Sequence, residues 1–171
     1  MESKSNSYGE CSLSLSALRV KQLVVSYAIH SNFIQDMRAA LPYEGGGVLL
    51  GRVHHGSSPV DTTFFAHRFF VLPNTLQSST RFLADPIQTV AAVLGSSHVG
   101  ETIIATVHSH PNADAFPSIR DVQEAFDYTI AHVIVGTVTS KITTNAFFYR
   151  RNPLGYSFHA IPLVFSNPIG K

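Results

Sequence analysis

An apolar run, Ile103, Ile104 and Val107, leads straight into His108-Ser109-His110-Pro111, and seven residues separate His110 from Ser118-x-x-Asp121. Residues two apart in a strand share a face. A strand over Glu101–Val107 that carries on into the motif therefore presents His108 and His110 to one point. The intervening stretch holds Asn, Asp, Ala and Pro, which lets the chain turn back. Ser118 suits the N-cap of a helix that starts at Ile119, so Asp121 in the first turn returns to the two histidines. Strand, loop and helix must pack so that two imidazoles and one carboxylate meet, and few arrangements allow it.

Imidazole suits zinc, and a carboxylate oxygen is an acceptable third ligand. Three protein ligands leave a fourth position open, the mark of a catalytic rather than a structural zinc, so one zinc per chain is expected. Such an ion lowers the pKa of water toward ~7 and polarises a scissile carbonyl. A nearby base has to take the proton and hand it to the leaving amine. Glu44 is the leading candidate, a lone acid between Leu41-Pro42-Tyr43 and Gly45-Gly46-Gly47. The glycines let backbone and substrate come close to it. Ser118 is placed to donate a hydrogen bond to the developing oxyanion. Each fragment alone is ambiguous: nine histidines produce His-x-His pairs by chance, and Ser-x-x-Asp makes a capping box with no metal present. Asp114 is a rival third ligand, but it lacks the helix that anchors Asp121.

Elsewhere, Leu23, Tyr27, His30, Ile34, Met37 and Leu41 fall at three- and four-residue steps and predict an amphipathic helix over 21–41, closed by Pro42. Strands are expected from Val48 and over Val60–Leu72, and Asp85-Pro86 opens a helix to about Leu94. The helix after Ser118 is expected to reach about Tyr128. Thr129–Val138, Ile142–Arg150 and Tyr156–Phe165 complete the sheet. Helices and strands alternate early and strands dominate late, which indicates one layered α/β or α+β domain over 18–171, behind a flexible tail, 1–17. His54-His55 reads as a solvated hairpin end and His30 as a hydrogen-bonded core residue. Arg81-Phe82 and Asn74 are candidates to shape a groove, against ordinary packing and turn roles.

The net charge is +1, and the only tight basic cluster is Arg150-Arg151, which argues against a nucleic-acid partner. No run approaches the roughly 20 apolar residues that span a bilayer, and Met1–Ser16 has no apolar stretch of signal-peptide type. The single cysteine, Cys11, excludes an internal disulfide and suits a cytoplasmic setting. It also excludes a zinc base deaminase, which needs His-x-Glu and a later Pro-Cys-x-x-Cys.

Glu44, His108-Ser109-His110-Pro111, Ser118 and Asp121, with the flanks Pro42-x-Glu44 and Leu49-Leu50-Gly51, resemble the JAMM (MPN-type) metalloprotease family from about Val20 to Phe148. The resemblance implies a cytidine-deaminase-like sandwich with a mixed central sheet flanked by helices. It implies one zinc and cleavage after the diglycine tail of a ubiquitin or ubiquitin-like protein. His108, His110 and Asp121 are then ligands, Glu44 the general acid/base and Ser118 the oxyanion support. The stretches Phe69–Asp85 and Asp121–Ala131 lack the insertions usual in eukaryotic deubiquitinases, so the chain looks like a compact prokaryotic or archaeal member. Relatives of that kind process ubiquitin-like modifiers or trim sulfur-carrier precursors. The glycine triplet departs from the family, where a larger residue more often follows the Glu. A non-catalytic MPN scaffold for partner binding is the alternative, and the complete ligand set argues against it.

Overall fold

Val20, Leu23 and Val25 are buried between exposed or half-buried neighbours, the alternation of a strand. A computed structural model describes residues 20–57, 61–97, 100–125, 127–138 and 141–167. The tail expected over 1–17 lies outside them. The predicted helix over 21–41 is in fact two elements, strand β1 (Val20–Ser26) and helix α1 (Tyr27–Ala39). Ser26 separates them as N-cap, its hydroxyl accepting from the Ile29 N–H at 3.2 Å. Leu23 fits both periodicities. Pairing of β1 with two distant strands decides it.

Strands β2 (Gly46–His55) and β3 (Thr62–Leu72) form an antiparallel hairpin, with His54 and His55 exposed at its end. Helix α2 (Pro86–Ser97) begins where Asp85 accepts the Gln88 N–H at 2.9 Å. Strand β4 (Thr102–Pro111) runs on through the whole His-Ser-His-Pro motif. Helix α3 (Ile119–Gln123) is a single turn and a half, shorter than the predicted span to Tyr128. It stops because Asp127 turns the chain, its carboxylate accepting from the backbone and hydroxyl of Thr129, while the Tyr128 hydroxyl donates to the Val122 carbonyl. Strands β5 (Ala131–Thr137) and β6 (Thr143–Asn152) follow. The last predicted strand divides at Pro162 into β7 (Gly155–Ile161) and β8 (Leu163–Ser166).

The eight strands make one mixed sheet in the order β7-β6-β5-β4-β2-β3-β1-β8. β7 and β8 stand at opposite ends of that order, yet Pro162 alone joins them, so the sheet curls until its edges meet. The Pro162 carbonyl accepts the Leu23 N–H at 2.9 Å at the junction. On one face, Phe33 and Met37 of α1 pack with Leu49, Phe64, Val107 and Val133. Full burial of each such side chain stabilises by about 1.5–3 kcal/mol. On the other face, Ala92 of α2 covers Val48 and Leu50, and Val122 of α3 covers Ile134, Phe147 and Tyr149. This is a single mixed α+β domain with helices on both sides of the sheet, as expected. Among the described residues, no helix is long and apolar enough to cross a membrane.

The loop after β4 packs against β5 at Gly136, the register partner of His110. A Cβ there would run into the backbone of Ala113, Asp114 and Ala115. Gly136→Ala is therefore expected to lower stability by about 1–3 kcal/mol through overpacking. Gly95, in α2 with open space around it, gives the opposite sign: Gly95→Ala should raise stability by about 0.5–1 kcal/mol. Urea unfolding of both variants checks the pair.

Candidate metal centre and active-site cleft

Alternation along β4 sorts the motif by face. Thr106, His108 and His110 look toward α2 and α3, while Val107 and Ser109 look the other way. Ser109 is fully buried. Its hydroxyl accepts the Gly45 N–H at 2.9 Å and its own N–H donates to the Gly45 carbonyl at 2.9 Å. The residue between the two histidines thus fastens the turn that carries Glu44 to the strand that carries His108 and His110.

The loop that follows is pinned at three places. Asn112 takes a left-handed conformation, φ 58°, and its N–H donates to the Thr137 hydroxyl at 3.3 Å. Ala115 is buried, and its carbonyl accepts from the Asn145 amide at 2.9 Å. The third contact is Gly136. The chain then returns through Pro117 to Ser118, whose hydroxyl accepts the Asp121 N–H at 3.2 Å while Asp121 Oδ2 accepts the Ser118 N–H at 2.6 Å. That reciprocal capping box satisfies two orphan donors of α3 and fixes the Asp121 carboxylate. It leaves the Ser118 hydroxyl proton available to a further acceptor.

His108, His110 and Asp121 each offer a ligand atom within 4.8 Å of the others. His108 Nε2 stands 3.0 Å from His110 Nε2 and 3.5 Å from Asp121 Oδ1, and His110 Nε2 stands 3.2 Å from Asp121 Oδ2. Burial works to raise the Asp121 pKa, but hydrogen bonds to the two imidazoles hold it far below the usual range. The carboxylate stays ionised. Burial works to lower the His110 pKa, and the Asp121 hydrogen bond and charge raise it past that. A backbone hydrogen bond to Asp114 adds to the rise. The exposed carboxylate of Asp114 is outside the ligand group, so Asp114 acts through its backbone. Two nitrogens and an oxygen in this arrangement could hold a metal ion.

Glu44 is 6 % exposed and lines the same cleft as His108 and Asp121. Burial pushes its carboxyl above the usual range, with the Asp121 charge adding to the rise and His108 and His110 opposing it. Its backbone is gripped from outside: the N–H donates to the Ser78 carbonyl at 2.8 Å, and the carbonyl accepts from the Asn74 amide at 3.0 Å. Asn74 also donates to Arg81 O and accepts from the N–H groups of Leu76 and Leu83. One side chain therefore holds both the 74–84 loop and the Glu44 turn. It fills the turn role that the sequence set against a groove role.

The cleft, about 500 Å³, has a wall of Arg81, Phe82 and Leu83. The glycine triplet explains how that wall comes close. A Cβ on Gly46, the register partner of His108, would meet the Phe82 ring. Gly45 and Gly47 are similarly crowded by α1 and β3. His30 lies away from this site, half-buried and hydrogen-bonded to the Thr144 hydroxyl at 3.2 Å, with its pKa lowered by burial. Sequence reasoning overlooked Ser109, Gly136 and Asn145 as supports and His132 and Tyr149 as cleft residues. The only available signal was the face that strand alternation assigns to each.

The family model for prokaryotic homologs of the JAB domain matches residues 26–151. A probable TtuB-protein conjugate cleaving protease of Thermus thermophilus is 34 % identical over 109 residues, which cover 61 % of this chain and 66 % of that protein. The chain thus spans just under two thirds of that relative's length. A protein of Desulfitobacterium hafniense solved in solution superposes with TM-score 0.70 at 25 % identity, covering 85 % of this chain and 93 % of that one. A Salinibacter ruber protein shares the fold, with TM-score 0.59 at 20 % identity and coverage of 86 % and 94 %. A match over most of the folded part, on a chain whose histidines and aspartate converge as described, establishes the family: this chain is a prokaryotic JAB-domain protein of the JAMM (MPN-type) family.

Proposed function

We propose that this protein is a zinc-dependent peptidase that cleaves after the diglycine tail of a ubiquitin-like protein, releasing it from a conjugate or from a C-terminal extension. One observation carries the reading: Glu44, buried with a raised pKa, shares a cleft with the His108, His110 and Asp121 group. The Thermus relative's name, which specifies cleavage of a protein conjugate, supports the substrate class. We take 18–171 as the catalytic domain, 1–17 as its tail, and the cytoplasm as its setting.

Zinc fits the donor set. Three donors about 2.0–2.1 Å from a tetrahedral ion stand about 3.3 Å apart, close to the separations of 3.0, 3.2 and 3.5 Å between these side-chain atoms. When bound, the ion supplies Lewis acidity and lowers the pKa of water. His108, His110 and Asp121 hold it. Glu44 takes a proton from the attacking water and returns it to the leaving amine, a task that a carboxyl raised toward neutrality performs best. The Ser118 hydroxyl, free to donate, faces the charge that develops on the carbonyl oxygen.

Elemental mass spectrometry of the purified protein should find close to one zinc per chain. His108→Ala or Asp121→Ala should lose most of it, and full retention in both would refute the ligand set. Glu44→Gln keeps shape and zinc but removes the proton acceptor, so turnover should fall at least ~10²–10⁴-fold. Near-normal turnover in that variant would reassign the base. The specificity test uses a ubiquitin-like protein fused through Gly-Gly to a short peptide. Mass spectrometry should show cleavage immediately after the second glycine, and Gly→Val at that position should abolish it. Equal cleavage of both fusions would reduce the activity to that of a general zinc peptidase.

A further inference from the structure

The cleft beside His108 and Asp121 is bridged as well as walled. Its floor is sheet: Gly47 and Val48 of β2, both buried, with Thr106 and His108 of β4. One side is Arg81, Phe82 and Leu83, and the other is α3, with Arg120, Asp121 and, as its C-cap, Glu124. An ion pair joins the two sides. Arg81 Nη2 donates to Glu124 Oε2 at 3.4 Å, and Arg120 Nε, one turn back on the helix, stands 3.8 Å from Glu124 Oε1. The Arg81 and Glu124 side chains are 48 % and 56 % exposed, so they lie on the solvent side of the buried floor. The Arg81 backbone is fixed, its carbonyl accepting from the Asn74 amide at 2.8 Å. Opening and closing of the bridge therefore fall to side chains alone.

We infer that Arg81 and Glu124 form a strap across the cleft, which opens to admit the substrate chain and closes over the residues next to the scissile bond, selecting against side chains there. Glu124 lies three residues beyond Asp121, about 4.5 Å along the helix at 1.5 Å per residue. That is one or two steps of an extended chain at about 3.3 Å each. A chain passing beneath the strap is enclosed by the floor, the Phe82 ring, α3 and the ion pair. Glycine fits such a passage, whereas a Cβ has to displace the ring or part the pair. The crowding is already visible at Gly46, where a Cβ would meet the Phe82 ring. A protein conjugate carries a folded body at each end, so its chain cannot be threaded end-on and the strap has to part sideways. An exposed ion pair suits that task, because water and salt compete for both partners.

This proposal rests on the reading of the cleft as a peptidase site, and the experiment separates the two. N-acetyl-Ala-Ala-Gly-Gly-amide and N-acetyl-Ala-Ala-Ala-Ala-amide are titrated by calorimetry into wild type, Arg81→Ala, Glu124→Ala and the double variant. Wild type should prefer the Gly-Gly peptide. Each single substitution should lower that preference by about 1.5- to 5-fold, the worth of one exposed ion pair, and the double variant should lower it no further. Salt at 1 M should lower the wild-type preference by the same factor and leave the double variant unchanged. For fusions that the wild type cleaves, the ratio of kcat/KM between Gly-Gly and Ala-Ala ends should follow the same pattern. An unchanged preference in the single variants, or a double variant that shows the product of the two single effects, overturns the strap. So does a wild type that binds neither peptide or binds both equally. A strap-dependent preference without cleavage of any ubiquitin-like fusion counts against the proposed function alone.

Discussion

The pair of hydrogen bonds between Ser109 and Gly45 is the tie on which the site depends. The strand that carries His108 and His110 and the turn that carries Glu44 come from distant parts of the chain, and the proposed chemistry needs both held to a fraction of an ångström. Ser109 does this because strand alternation turns it away from the histidines and into the core, where no water competes for its hydroxyl. Removing the hydroxyl would leave the buried Gly45 N–H without its acceptor, a defect typically worth about 1–3 kcal/mol. Asn74 holds the same turn from the solvent side. Glu44 is therefore braced on two sides through its backbone, and its carboxyl remains free to exchange a proton.

Helix α3 shows the same economy. Five residues are too few to form a stable helix alone, since nucleation is unfavourable and short helices gain little from propagation. Its stability comes from the Ser118–Asp121 capping box and from Val122 packed in the layer with Ile134 and Phe147. The carboxylate that closes the cap also faces the two histidines. Local folding of this turn and assembly of the His108, His110 and Asp121 group are thus one event.

Much of the architecture was readable from local pattern. The strand before His108, the strand after Val60, the Asp85-Pro86 helix start and the return of Asp121 all follow from alternation, capping residues and turn chemistry. The segment from Lys21 was misread because Leu23 satisfies helical and strand spacing alike, and the deciding contacts lie at Phe64 and Leu163. Tyr156–Phe165 read as one strand because nothing local shows that its two halves serve opposite edges of the sheet. The convergence of His108, His110 and Asp121 was legible because the metal-site chemistry expected of them needs a particular set of residues at a particular spacing. Its supports were not. Ser109, Asn145 and Gly136 are ordinary residues whose importance comes from what the fold sets against them.

The meeting of the two sheet edges at Pro162 bears on how the chain reaches this state. β1, the first strand, receives its outer neighbour only from residues 163–166, with Leu23 opposite Leu163. Until that late segment is in place, one side of β1 offers unpaired backbone groups to any passing strand. Contacts so far apart in sequence slow folding, because loop-closure entropy is lost before they form. A ribosome-bound chain can assemble the histidine strand and its helix, but it cannot close the sheet until almost all of the described sequence has emerged. The interval before closure is when this protein is most open to mispairing with a second copy of itself.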